Sequence, residues 1–159
     1  MLDASELPPT FSAEPEQFVA IIAGGDIALR NAVEGAEDDV QQAVRDLEHL
    51  KLNGDDCLVG IAASGRTPYV LSCLSYAKIQ SCLTIGIACS SPSAMLKSGH
   101  VDHMIEAVPG AEVVSGSTRL KAGTATKLVL NMLSTGVHIR LGKTYSNLVS
   151  IPQGLMVAY

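Results

Sequence analysis

Leu58-Val59-Gly60-Ile61-Ala62-Ala63-Ser64-Gly65-Arg66-Thr67-Pro68 decides the fold. Leu58 to Ala63 is a short apolar run without polar alternation, which reads as a strand covered on both faces. Ser64 and Gly65 form a small-residue turn. Thr67 and Pro68 then open a helix, because a proline in the first turn lacks only an N–H that would have no partner there. The helix runs to about Ile79 and turns Val70, Leu71, Leu74 and Ala77 toward the sheet. Strand, tight turn and helix in this order belong to an α/β sheet, whose ligands lie beyond the carboxyl ends of the strands.

Working outward, three more runs have the same character: Phe18 to Ala23, Leu83 to Cys89 and Met104 to Val108. All four are expected to be strands. Between the first two, Val33, Ala36, Val40, Val44 and Leu47 recur at three- and four-residue steps and predict a helix, with Asp26 after Gly24-Gly25 as a plausible N-cap. Ser91 to Lys97 predicts a short helix with Pro92 near its start, and Arg119 to Leu133 a longer one. Alternation of strands and helices implies a parallel sheet flanked by helices, with right-handed crossovers. The Pro-containing opening and the trailing Ile151 to Tyr159 give the expectation of a piece of a larger domain.

Composition agrees. The 159 residues are 47% hydrophobic and 17% charged, enough for one domain with a real core. Eleven basic residues against 16 acidic ones give a net charge of −5, and the basic residues are scattered, so nucleic acid is not an expected partner. No apolar run approaches the roughly 20 residues of a membrane helix, and the start has no signal-peptide pattern, so a cytoplasmic location is expected. Cys57, Cys73, Cys82 and Cys89 form no C-x-x-C pair and read as buried free thiols. His100 and His103 have no third ligand nearby and read as part of a solvated turn rather than a metal site.

Four segments could carry chemistry. Around Ser64, Arg66 and Thr67, backbone N–H groups and hydroxyls converge on the positive end of a helix, which is how a phosphate is held without a cation. The same pattern also fits an ordinary glycine turn with a Ser/Thr cap. Glu6, in Asp3-Ala4-Ser5-Glu6-Leu7-Pro8-Pro9, sits on a loop that two prolines would stiffen; alone it reads rather as a helix-end or surface acid. Glu34 and Glu37, at i and i+3, would share one helical face, where like charges favour proton transfer; a solvated acidic turn is the alternative. Ser117 and Lys121 lie where a hydroxyl-rich loop meets a helix start, suited to an anion or to simple capping.

Together DASELPPTF, IIAGGD, AVEGAED, GIAASGRTPYV, GSTRLKAGTATK and LGKTYSNL resemble the N-acetylmuramic acid 6-phosphate etherase family, related to the glucokinase regulatory protein. The resemblance covers nearly all of residues 2 to 149. It implies a SIS-type (flavodoxin-like) three-layer α/β sandwich, partial over 1–149, with a divergent tail at 150–159. It further implies a cytoplasmic, homodimeric lyase acting on a sugar phosphate, with no metal or organic cofactor. In such enzymes the DASE glutamate resembles the acid that protonates departing lactate, here Glu6. The second glutamate of EGAED resembles the base that takes the C2 proton, here Glu37. The SGRT turn would hold the 6-phosphate, and Lys121 would reach the bound sugar.

Family members carry a first strand and a G-x-G-T-S-G-R loop before DASE, so the sheet is expected to lack that strand here. Two alternatives stay open at this point. One is a non-catalytic regulator that binds a phosphosugar, against which the DASE glutamate and the AASGRT turn argue. The other is an inactive fragment with unpaired sheet edges.

Overall fold

The computed structural model describes residues 1–151 and 154–155, so the expectation for the 150–159 tail falls partly outside the described residues. The chain divides into two compact units, one formed by 1–21 with 127–159 and the other by 22–126.

The 22–126 unit holds a parallel sheet of β1 (Cys57–Ile61), β2 (Leu83–Ala88) and β3 (His103–Glu106), in that spatial order. The predicted α/β class stands, with three strands rather than four. Phe18 to Ala23 forms no strand, because a β-rich run becomes one only by pairing, and it has no ladder partner among the described residues. Its end is a turn closed by Gly25 N–H on the Ile22 carbonyl at 2.9 Å.

Helix α3 (Pro68–Ile79) covers the sheet as expected, with Thr67 at its N-cap. Leu74 and Ala77 are fully buried, and Leu74 packs with Ala62, Ala88 and Met95 over partly buried Val70 and Leu71. The close fit depends on Gly60: a Cβ there would lie 2.8 Å from the Leu74 side chain. Each such fully buried aliphatic side chain contributes roughly 1.5–3 kcal/mol. Helix α2 (Val40–Glu48) packs Ala43 and Leu47 against Tyr69 and Cys73 of α3. The Tyr69 hydroxyl donates to Asp46 at 2.5 Å, and burial followed by this carboxylate pushes its pKa up.

The helix expected from Val33 onward starts later, at Val40. Asp39, not Asp26, caps it, accepting from the N–H groups of Gln41 and Gln42. Asp26 instead opens a 3-10 turn (Asp26–Leu29) whose side chain makes no cap bond. The short helix α4 (Ala94–Lys97) begins at Ser93, whose hydroxyl accepts from Leu96 N–H at 3.2 Å. Cys73 and Cys82 are buried thiols, but Cys57 is exposed, because it begins β1 at the sheet's outer edge.

In the other unit, α1 (Leu2–Phe11) replaces the loop predicted around Glu6. Pro8 and Pro9 deny the Ala4 and Ser5 carbonyls their ladder donors. The helix forms nevertheless, because Leu7 and Phe11 are buried with Ala13 against Phe18 and Val149. Phe11 and Phe18 stack on His138, ring centroids 4.4 and 5.3 Å away. His138 belongs to α5 (Lys121–Arg140), which runs seven residues past the predicted Leu133. A small antiparallel sheet, β4 (Thr144–Tyr145), β5 (Leu148–Ile151) and β6 (Gly154–Leu155), follows.

Candidate functional site

The turn after β1 is held from several directions. Gly65 N–H closes it on the Ala62 carbonyl at 2.9 Å, and Gly65 O accepts from Met95 N–H at 2.9 Å. Cys89 N–H reaches the Ala63 carbonyl at 2.9 Å, and the Ser90 hydroxyl donates to the Ser64 carbonyl at 2.9 Å. Gly65 has φ +65°, and a Cβ there would stand 2.5 Å from the Ser93 Cβ. Only glycine meets both demands, so the loops after β1 and β2 are pressed into one surface. Ser64 Oγ accepts from Arg66 N–H at 3.3 Å, whereas Thr67, the N-cap of α3, makes no side-chain cap bond.

Ser64, Arg66, Ser90, Pro92, Ala94 and Lys97 line an open groove of about 440 Å³ at the carboxyl ends of β1 and β2. That volume is in the range of small-molecule sites. Arg66 and Lys97 are both exposed, and neither forms an ion pair among the described residues. The far side of the Ser91–Ser93 loop is tied to β3: Glu106 accepts from Ser93 N–H at 2.8 Å. Hydrogen bonds from Ser91, then Ser93, hold the Glu106 carboxyl below the usual carboxylate range.

Of the acids expected to do proton transfer, Glu37 lies exposed in a 3-10 turn (Ala36–Asp38) that packs on α3, the helix opened by Thr67. Glu34 is outside that turn, so the shared helical face predicted for the pair does not form. Gly35, at φ 73°, breaks the helical path between them. Glu6 is an exposed residue of α1 in the other unit, and Lys127 Nζ lies 4.0 Å from its carboxylate and 3.5 Å from that of Asp3.

The start of α5 is already served by an anion of the protein's own. Glu112 accepts from the N–H groups of Lys121 and Ala122, each at 2.9 Å, and Lys121 Nζ donates to the Ala111 carbonyl at 2.8 Å. These N–H bonds, that of Ala122 first, lower the Glu112 pKa. Ser117 sits upstream in a turn closed by its N–H on the Val114 carbonyl at 3.0 Å.

Ser64 and Arg66 therefore share one groove, Thr67 opens the adjoining helix, and the Glu37 turn rests on that helix. Ser117 and Lys121 belong to the α5 start. Sequence reasoning missed Ser90 and Lys97, although the run Cys89-Ser90-Ser91-Pro92 after a predicted strand was the signal for a second strand-to-helix loop. It also missed Glu106 and Glu112, which act through contacts that local pattern does not reveal.

The family described as glucokinase regulatory protein N-terminal SIS domain matches residues 1–78. Over 149 residues, 94% of the chain, identity is 56% to the N-acetylmuramic acid 6-phosphate etherase of Caldanaerobacter subterraneus subsp. tengcongensis, 48% of which is covered. It is 55% to that of Lactobacillus johnsonii and 54% to that of Escherichia coli O1:K1 / APEC, with 49% of each covered. The chain thus spans about half the length of the curated relatives it matches. Among solved structures, the Vibrio vulnificus NanR protein complexed with ManNAc-6P superposes at a TM-score of 0.48 with 15% identity, over 65% of this chain and 37% of that one.

Proposed function

We propose that this chain, a homologue of the N-acetylmuramic acid 6-phosphate etherases over 94% of its length, carries the acid and base of their lyase chemistry. The single observation behind this is 54–56% identity to curated etherases over 149 residues, 94% of the chain. The substrate is N-acetylmuramic acid 6-phosphate, whose lactyl ether is cleaved in cell-wall recycling. Glu37 removes the C2 proton as the C3–oxygen bond breaks, and Glu6 protonates the departing lactate oxygen. Water then adds at C3 and a proton returns to C2, giving N-acetylglucosamine 6-phosphate and D-lactate.

Each transfer is worth roughly 10²- to 10⁴-fold, so neither acid alone suffices. Ser64, Arg66 and Thr67 hold the 6-phosphate, and Ser117 and Lys121 contact the sugar. The domain assignment is a partial SIS domain over 1–149 with a divergent tail at 150–159. A cytoplasmic homodimer completes the reading. No described helix is long and apolar enough to cross a membrane. Exposed Met132 and Val137 of α5 and Leu141 just after it, around one depression with half-buried Leu133, are the candidate dimer face. Light scattering of the purified chain tests the dimer. The regulator alternative is not favoured, since the relatives matched are named etherases.

The test is D-lactate release from N-acetylmuramic acid 6-phosphate by the 159-residue chain. Release is expected, and Glu6→Gln or Glu37→Gln should each lower it at least about 100-fold. Release untouched by either substitution overturns the roles given to the two acids. No release from the unsubstituted chain overturns catalysis by this length of protein.

A further inference from the structure

We infer that Lys97, on the short helix after β2, is a phosphate ligand that completes the anion site begun by Ser64 and Arg66, with Ser90 holding its loop in place. The inference rests on the phosphosugar reading and deepens it by adding the second wall of the same site. Four observations carry it. Lys97 and Arg66 line one groove of about 440 Å³ together with the hydroxyl-bearing Ser64 and Ser90, and among the described residues no carboxylate lines it. Both cations are exposed and lack an ion-pair partner among the described residues. The two loops are fixed against each other by Ser90 Oγ on the Ser64 carbonyl, by Met95 N–H on the Gly65 carbonyl, and by the Gly65–Ser93 contact. Finally, Glu106, the acid hydrogen-bonded to this loop, is engaged by Ser91 and Ser93, so it aligns the loop without neutralising Lys97.

A phosphate dianion asks for this set: two cations approaching from different loops, the Ser64 hydroxyl as a donor between them, and a helix N-terminus behind. Lys97 supplies a flexible point charge, and Arg66 a planar fork able to bind two oxygens. Because the loops are fixed before the ligand arrives, little ordering is needed on binding. An unphosphorylated sugar would gain nothing from either cation, which makes the pair the discriminating element.

The experiment is a titration of the ¹⁵N-labelled 159-residue chain with inorganic phosphate, followed by amide shifts. Ser64 to Thr67 and Ser90 to Lys97 should shift together along one saturation curve. Lys97→Gln should raise the Kd by about fivefold or more, the size of one partly exposed charge contact, and Lys97→Arg should restore most of it. Lys51→Gln, which removes an exposed charge from the same unit away from the groove, should stay within about twofold, so a general field effect is separated. If phosphate shifts Ser64 to Thr67 but Lys97→Gln leaves the Kd within about twofold, the role of Lys97 is overturned and the turn's role survives. If no saturable shift occurs, or the shift falls at Lys121 and Ala122, both are overturned.

Discussion

Replacing Gly65 with alanine tests whether the candidate site is as rigid as its geometry implies. At φ +65° an added Cβ meets the following carbonyl, at about 1–2 kcal/mol. The same Cβ would lie 2.5 Å from the Ser93 Cβ and 3.2 Å from that of Ala88, an overpacking of about 1–3 kcal/mol. Lower entropy of the unfolded chain returns about 0.4–1 kcal/mol. The net loss is about 3 kcal/mol, a large share of the ~5–15 kcal/mol that holds a typical domain. Hydrogen exchange of the β2 amides, which open with the sheet, reads this loss in the unit concerned. The Ser93→Gly background separates the two causes. It removes the Cβ that is struck, and replacing this N-cap by glycine costs only a few tenths of a kcal/mol. The double variant should therefore recover about 1–2 kcal/mol of the Gly65→Ala loss and keep the backbone strain. A Gly65→Ala loss below about 0.5 kcal/mol, or strict additivity with Ser93→Gly, would refute the close approach and with it the fixed loop pair.

Other outcomes follow from single contacts. Asp102 pairs with Lys78 and accepts from the Thr84 N–H and hydroxyl, and these bonds, that of Lys78 first, hold its pKa at about 2 against an ordinary 3.8. Its contribution is complete above the ordinary value and lost as pH falls from there through about 2. Asp102→Asn should flatten the acid limb of a pH-dependent unfolding curve, and an unchanged limb would contradict the pairing. Leu74→Ala opens a cavity behind Gly60 and should cost about 2–5 kcal/mol in the same exchange measurement; a loss under about 1 kcal/mol would mean the core has been misplaced. Iodoacetamide should label exposed Cys57 well before Cys73, which is buried and has its pKa pushed up to about 12, as peptide mapping would show. Glu112→Gln should lower protection of the amides at Lys121 and Ala122 severalfold, and unchanged exchange there would argue against its capping role.

What could be read from the residues was what neighbours in sequence decide. The strand after Asp56, the Ser64–Thr67 turn and α3 were legible, because glycine at a tight turn, proline at a first helical turn and the spacing of Val70, Leu71, Leu74 and Ala77 are local signals. The loop predicted at Glu6 failed for the opposite reason. Two prolines argue against a helix locally, but burial of Leu7 and Phe11 with Val149, distant in the chain, outweighs the lost ladder bonds. The strand predicted at Phe18 to Ala23 shows the same limit, since β-propensity states that a segment fits a sheet and not that a neighbour exists. Ser90 and Lys97 were missed because their importance comes from register: β1 and β2 pair Ile61 with Ile87, which brings two loops 26 residues apart in sequence side by side.

The two helix starts that sequence analysis offered as anion sites differ in a way that ranks them. At α5 the N–H groups of Lys121 and Ala122 already hold both oxygens of Glu112, and Lys121 Nζ rests on the Ala111 carbonyl. An arriving phosphate would have to displace a carboxylate bound through two hydrogen bonds, or stand beside it and bear the repulsion of like charges. At α3 none of the described residues fills that position: Thr67 makes no cap bond, and Arg66 and Lys97 stand without ion-pair partners among them. A phosphate gains its full charge there without evicting anything. The Ser64 groove is consequently the place where affinity for the phosphate should arise, and contact of Lys121 with a bound sugar requires the segment carrying Glu112 to give way first.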